Sequence, residues 1–249
     1  MSTLALDPRR VRGLTVANTR LMTRNLVTLL YTVALPLLPL AALVISGGGG
    51  PEATVPIVST VLLLAMLFPV YYATLSQVVT RRDELVLKRL RTGEASDADI
   101  LLSIALPGAG IGVLVSLLAL PLASLVGLDA PTAPLLYVVM VVGSAVMFSA
   151  LAFWTAAWTR TAEAAQLTSA PVLVLASVGP FIDLFPSEVA RWLALTPGGI
   201  LDDLAGRTWS GDGFVETWTA SGESLLALLG WTVLAVWLAA RTMRWEPRA

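Results

Sequence analysis

Thr80–Asp99 reads TRRDELVLKRLRTGEASDAD, and it separates two long apolar runs, Val55–Val79 and Ile100–Val126. Ten charged side chains fall in this one stretch, in a chain with only 16 basic and 17 acidic residues. A helix rises about 1.5 Å per residue and needs about 20 apolar residues to cross the hydrocarbon core of a bilayer. Both flanking runs meet that length. The charged stretch is therefore a water-facing loop between two membrane crossings, and its side of the membrane orients the fold.

Working outward, Leu26–Ser46 precedes these runs, and Leu135–Trp158, Leu167–Phe185 and Leu225–Ala240 follow them. Asp183 weakens the fifth run and the sixth is short. The pattern predicts an all-α membrane protein with six transmembrane helices in a single domain spanning residues 1–249. Charge is nearly absent from the runs, as expected when each charged residue costs about 2.5–3.5 kcal/mol at a helix centre. Overall, 13% of residues are charged, against about 25% in an average soluble domain.

Composition excludes several functions. With no Cys and no His, disulfides, thiol nucleophiles, Cys/His zinc sites and Ser-His-Asp catalysis are ruled out. A net charge of −1 provides no basic field for nucleic acid. No ionisable residue sits at mid-span, so neither a proton relay nor a membrane-embedded acid–base enzyme finds support.

Orientation follows from Lys and Arg. Arg9, Arg10, Arg12, Arg20 and Arg24 precede the first run, and Arg81, Arg82, Lys88, Arg89 and Arg91 lie in the charged loop. Arg160 follows the fourth run, and Arg241, Arg244 and Arg248 follow the sixth; only Arg191 and Arg207 fall on the other side. The positive-inside rule then puts both termini in the cytoplasm, as an even span count requires. A cleaved signal peptide is not expected, because a long polar segment precedes the first run and no small-residue cleavage pattern follows it. The expected location is a cell (inner or plasma) membrane.

Flanking segments add detail. Asp7 and Pro8 predict an interfacial helix over 8–25 with an apolar stripe of Val11, Leu14, Ala17 and Leu21. It serves either as an elbow bracing a partner or as a topogenic anchor. Outer segment 186–224 is too long for a turn. Ser187 caps one predicted short helix, Thr196-Pro197-Gly198-Gly199 breaks it, and Ile200–Ala205 forms a second. Together these are two outer interfacial or re-entrant helices, with Trp209, Phe214 and Trp218 as aromatic anchors. Asp202-Asp203 reads as a solvated acidic face. Prolines 36, 39, 69, 107, 121, 171 and 180 either bend helices around a pathway or reflect ordinary membrane usage. Gly108–Gly112 gives small-residue spacing for close helix contact; no strand precedes it, so a nucleotide fingerprint fails.

Within the charged loop, Asp83 and Glu84 suit a helix N-terminus and Lys88, Arg89 and Arg91 its C-terminus. Glu84–Lys88 is an i, i+4 pair, Leu87 and Leu90 share a face, and Gly93 supplies a stop. Ser96 and Asp99 form a capping-box pattern opening the third span. A short two-faced helix of this kind is more than topology requires, and it points to docking.

These features together resemble the membrane subunits of type-2, exporter-type ABC transporters. The resemblance covers the basic helix, six spans, the long outer segment with its Thr196-Pro197-Gly198 break and, most specifically, RRDELVLKRLRTGEASDADILLS. It implies that Asp83–Arg91 is a coupling helix seated in a separate ATP-binding subunit, with Asp83, Glu84, Leu87, Lys88 and Leu90 as contacts. The chain has no G-x-x-x-x-G-K-[ST], and its single lysine, Lys88, follows Leu87. It therefore carries no cofactor and is no enzyme by itself; ATP and Mg would be bound by the partner. A second membrane subunit, identical or homologous, and the lipid bilayer complete the implied assembly. Implied cargo is amphipathic or hydrophobic: a drug, peptide antibiotic or lipid-like molecule. Tyr71, Tyr72, Thr74, Ser76 and Gln77 are candidate path residues, with helix packing as their other reading. The alternative function is a membrane anchor or sensor whose loop docks a regulatory protein without transport.

Overall fold

Helix α1 (Pro8–Arg24) begins where the Asp7 carboxylate accepts the Arg9 N–H at 2.9 Å, with proline in its first turn. It stops at Asn25, whose side chain accepts the Val27 and Thr28 N–H groups at 3.0 and 3.2 Å. One asparagine thus ends α1 and caps α2 (Leu26–Ile45). In the computed structural model, residues 6–48, 50–92, 95–243 and 245 are described. Gly93, read as a stop signal, and the basic Arg244 and Arg248 lie outside them.

Among the described residues there is no strand, and five helices are long and apolar enough to cross a membrane. They are α2, α3 (Thr54–Asp83), α5 (Asp97–Leu125), α6 (Pro134–Trp158) and α11 (Gly222–Thr242). The chain is thus an all-helical, multi-pass membrane protein by length and composition. The short α4 (Val86–Arg91) follows α3, and α7 (Ala165–Ser177) follows α6.

The fifth expected run does not form one long helix. It is built as α7 followed by a 3₁₀ segment, Gly179–Leu184. Pro171 and Pro180 remove backbone donors in this stretch. At 13 residues, α7 alone is about 20 Å long, well short of a hydrocarbon core of about 30 Å.

The interior is centred on α3, α5 and α6, where Leu62, Met66, Tyr71, Ile104, Met140 and Phe148 are fully buried. In contrast, only 22% of the apolar window of α2 and of α11 is buried, against 67% for α6. Those two helices therefore form the periphery. Close approach of α5 to α3 depends on glycine: a Cβ at Gly108 would collide with the Pro69 carbonyl oxygen, and one at Gly112 with Val70. The small-residue spacing read from sequence does pack a helix here.

Proline leaves a second mark. Residues Leu30–Ala34 of α2 and Met66–Tyr72 of α3 are π-helical, and the two segments face each other. Pro36 cannot donate to the Thr32 carbonyl, and Pro69 sits inside the second segment. Such π segments frequently occur at functional sites.

Two ends of the bundle are distinct. At one, Thr54 Oγ1 accepts the Asp129 N–H, Thr132 Oγ1 donates to the Thr208 carbonyl and Trp209 Nε1 donates to the Asp129 carbonyl. This joins the start of α3, the end of α5 and the start of α6 to α9 (Pro197–Thr208). Trp209 also meets Tyr137 edge-on at 5.8 Å, so it is a packing residue rather than a free anchor. At the other end lie α1, α4, the start of α5 and the end of α6.

Between them, α8 (Ser187–Leu193) and α9 fold back into the bundle. Pro186, not Ser187, occupies the cap position of α8. Thr196 caps α9 by accepting the Gly199 N–H, so α9 starts at Pro197 rather than Ile200. Trp231 Nε1 donates to the Leu195 carbonyl at 2.7 Å, about 13 Å along α11 from its first residue. The α8–α9 pair therefore packs alongside α11 rather than beyond its first turn. A last short helix, α10 (Phe214–Ala220), leads into α11.

The acidic pair Asp202-Asp203 is not a solvated face. Asp203 accepts from Arg207 Nε at 2.9 Å and from the Ser224 hydroxyl at 2.6 Å. Burial pushes the Asp202 carboxyl above its ordinary range; the Ser59 hydroxyl pulls it down, and the charges of Asp183 and Asp203 add to the rise.

Candidate functional site

The end of α3 carries the site, and Arg82 anchors it. Its guanidinium is fully buried, and it donates to the carbonyls of Ala156 at 2.8 Å, Thr159 at 2.5 Å and Arg160 at 3.2 Å. These carbonyls lie at the C-terminus of α6, where a helix leaves acceptors without partners and presents partial negative charge. A cation from α3 thus caps α6. Asp83 adds a carboxylate 3.8 Å from Arg82 Nε.

Higher on the same face, the Tyr71 hydroxyl donates to Thr155 Oγ1 at 3.1 Å, and Thr155 donates to the Leu151 carbonyl. Thr159 Oγ1 pairs with Thr168 Oγ1 at 2.7 Å, carrying the connection on to α7. Polar groups that are expensive to leave unpaired in a dry interior therefore tie α3, α6 and α7 together.

The charged loop corrects the expected helix over Asp83–Arg91. Asp83 is the last residue of α3 and Glu84 caps its C-terminus. Leu85 then adopts a left-handed conformation, φ 60°, and α4 starts at Val86. Arg82, clamped to α6, keeps α3 helical as far as Asp83 and outweighs the dipole preference of the two carboxylates for an N-terminus. Each acid gains only about 0.3–1 kcal/mol from that preference.

Of the five docking candidates, Asp83, Glu84 and Lys88 are exposed. Leu90 is partly buried against the core, and Leu87 is fully buried within it. Leu87 is thus the root that holds α4 on the bundle, not a surface contact. Exposed Leu85 and Arg89 join the three charged residues on the outer face.

A second anchor lies beside it. Asp99 accepts the Ser96 N–H on one oxygen and the Asp7 N–H on the other, both at 3.0 Å, while Ser96 Oγ accepts the Asp99 N–H at 3.1 Å. The capping box expected from sequence is present, and it also binds the start of α1. Asn18 Nδ2 donates to the Ser103 carbonyl at 2.6 Å. The face of α1 that packs on α5 is accordingly Val11, Asn18 and Met22, whereas Ala17 and Leu21 of the expected stripe are exposed.

The opposite face of α3 is open. A cavity of about 380 Å³ lies between it and the α1–α2 junction. On the α3 side it is lined by Ser76, Gln77, Thr80, Arg81 and Glu84. Asn25, Thr28 and Tyr31 line the far side. Thus the structure divides the five candidate path residues. Ser76 and Gln77 face this cavity, Tyr71 and Thr74 are buried in the bundle, and Tyr72 is half-buried against the core.

Arg81, Glu84, Asn25 and Tyr31 were not read as cavity residues. Gln77, Arg81 and Glu84 do follow one another at i, i+4 and i+3, a polar stripe visible in the sequence. Arg82 carried no signal separating it from Arg81. No protein-family model matches this chain, and no curated protein matches it either.

Proposed function

We propose that this chain is the membrane subunit of an ABC-type exporter, driven by ATP hydrolysed on a separate subunit. The observation that carries this reading is the construction of the charged loop. A six-residue helix presents Lys88 and Arg89 outward beside Asp83 and Glu84, roots itself through Leu87, and directly follows α3, which Arg82 ties to α6. A displacement of α4 would pass through the tight Glu84–Leu85 turn to the end of α3 and, through Arg82, to the end of α6.

In this reading the loop and both termini are cytoplasmic, as the basic residues favour. The α7 and 3₁₀ segments together make the fifth of six crossings. A second membrane subunit covers apolar surface left exposed at the periphery, and two ATP-binding subunits receive the two α4 helices. Closure of the ATP-binding pair shifts α4, and α3 and α6 move with it. The cargo is an amphipathic or hydrophobic molecule.

Copurification provides the test: an ATP-binding subunit should co-elute with the tagged chain and hydrolyse ATP. Asp83→Arg with Lys88→Glu should abolish that co-elution while the chain still inserts and elutes as a single species. If no ATP-hydrolysing protein co-elutes, or if the double variant keeps it, the reading fails. The absence of native cysteine allows a topology check. Cysteines placed at Arg9 and Thr242 should react only with a reagent supplied from the cytoplasm, and one at Asp212 only from outside.

A further inference from the structure

The cavity beside α3 has a specific chemical character. Gln77 Nε2 is buried without a hydrogen-bond partner, although it is a donor that should have one. Arg81 makes no hydrogen bond among the described residues, and the Glu84 carboxylate acts on it through charge. All three side chains line the cavity. The lining thus presents a donor and a cation toward one end and a carboxylate one turn further along.

Asn25 is committed through its side-chain oxygen to the first turn of α2, so the wall across from α3 is fixed. Leu21, apolar and 63% exposed, borders the same space. At about 380 Å³, the volume falls within the range of about 300–1,000 Å³ typical of small-ligand pockets.

We infer that this cavity binds the headgroup of a zwitterionic amphiphile bearing a phosphate and a primary ammonium. The phosphate accepts from Gln77 Nε2 and Arg81, the ammonium donates to Glu84, and the acyl chain leaves past Leu21. An anionic headgroup such as that of phosphatidylglycerol offers Glu84 neutral hydroxyls but no positive charge. A trimethylated ammonium has no N–H for that carboxylate, and Tyr31 alone does not make an aromatic cage. This inference deepens the transport reading by naming a cargo or regulator class, but its test requires no ATP.

The experiment uses the full-length chain in detergent with whatever subunits co-elute, and a dihexanoyl phosphatidylethanolamine carrying a fluorophore on one acyl chain. Competitors are unlabelled dihexanoyl phosphatidylethanolamine, phosphatidylcholine and phosphatidylglycerol, and soluble glycerophosphoethanolamine. Phosphatidylethanolamine should compete best, and the soluble headgroup should be weaker by more than about tenfold for want of apolar contact. Arg81→Gln and Glu84→Gln should each weaken binding about tenfold, the loss of one charged hydrogen-bond partner, and Glu84→Gln should also let phosphatidylglycerol compete.

Equal competition by all three lipids overturns the headgroup assignment, and this arm needs no variant to fold. Equal competition by glycerophosphoethanolamine overturns the amphiphile assignment. Wild-type affinity in both charge variants overturns the site. Failure here leaves the co-elution result untouched, and failure of co-elution leaves this binding measurement intact.

Discussion

Between Tyr71 and Glu84, one helix presents two faces of opposite character. Toward α6, α3 offers Tyr71 and Arg82, each with a buried polar group bonded to a named partner. Toward α1 and α2 it offers Ser76, Gln77, Arg81 and Glu84 around open space, with the Gln77 amide unpaired. Neighbouring arginines divide between the faces: Arg82 is fully buried and caps a helix, and Arg81 lines the cavity. The bonded face fixes α3 against α6, and the open face leaves polar side chains beside unfilled space.

The sharpest way to break this contrast is Arg82→Met. Removing the guanidinium leaves the carbonyls at the end of α6 without their donor in a buried site. Stability should fall by about 3 kcal/mol or more, and Arg82→Lys should restore only part because a single ammonium cannot reproduce the fork. Thermal unfolding in detergent checks it. Arg81→Met, on the open face, should shift the midpoint far less; equal shifts would erase the distinction between the faces.

Next in size is the packing that holds α3 in place. Gly108→Ala forces a Cβ into the Pro69 carbonyl, a backbone atom that cannot rotate away, so α5 and α3 must separate. Such overpacking costs about 1–3 kcal/mol. At Gly110 an added Cβ meets nothing within 4 Å, and alanine there should be neutral or stabilising by up to about 1 kcal/mol. The pair separates close approach from helix propensity in a single unfolding experiment.

A smaller effect compares the faces side chain for side chain. Tyr71→Phe deletes a hydroxyl that donates at 3.1 Å to Thr155 and should cost about 1 kcal/mol. Gln77→Leu deletes an amide that already lacks a partner, so stability should be unchanged or slightly higher while binding of the labelled phosphatidylethanolamine drops. A large loss of stability at Gln77 would mean that the open face is structural.

Much of this arrangement was legible in the sequence, for identifiable reasons. Apolar length anticipated five helices long and apolar enough to cross a membrane but not the break in the fifth run, and the Ser96–Asp99 spacing identified the start of α5 because a capping box is local chemistry. Gly108 was readable as a contact because small residues permit close approach. What escaped depended on distant partners. The Asp83-Glu84 pair obeys a dipole rule for an N-terminus, yet α3, with Arg82 held by carbonyls more than 70 residues away, ends on that pair instead. The turn then falls on Leu85, a residue that rarely accepts positive φ and gave no warning. On α1 the apolar stripe misled because Asn18, polar by type, is the buried residue, its amide satisfied by Ser103.

The opposite end of α3 provides the mildest test of the same contrast, because there burial outweighs the one hydroxyl that favours the ionised acid. Asp202 on α9 sits against Ser59, its carboxyl raised chiefly by burial and further by Asp183 and Asp203. A carboxyl whose folded pKa lies above the unfolded value binds its proton more tightly in the folded state. It therefore stabilises the protein fully below the ordinary value of 3.8, and that stability is lost as pH rises through the folded pKa. The ionised form is the strained one. Asp202→Asn, which cannot ionise, should raise the unfolding midpoint at pH 7 and flatten its slope in the window immediately above pH 3.8. Asp203→Asn should do the reverse at pH 7, because it weakens the acceptor for Arg207 and Ser224. If both substitutions moved stability in the same direction, the two adjacent carboxylates would share one environment. The division of α9 into a burial-raised acid facing α3 and a bonded acid facing α11 would then be wrong.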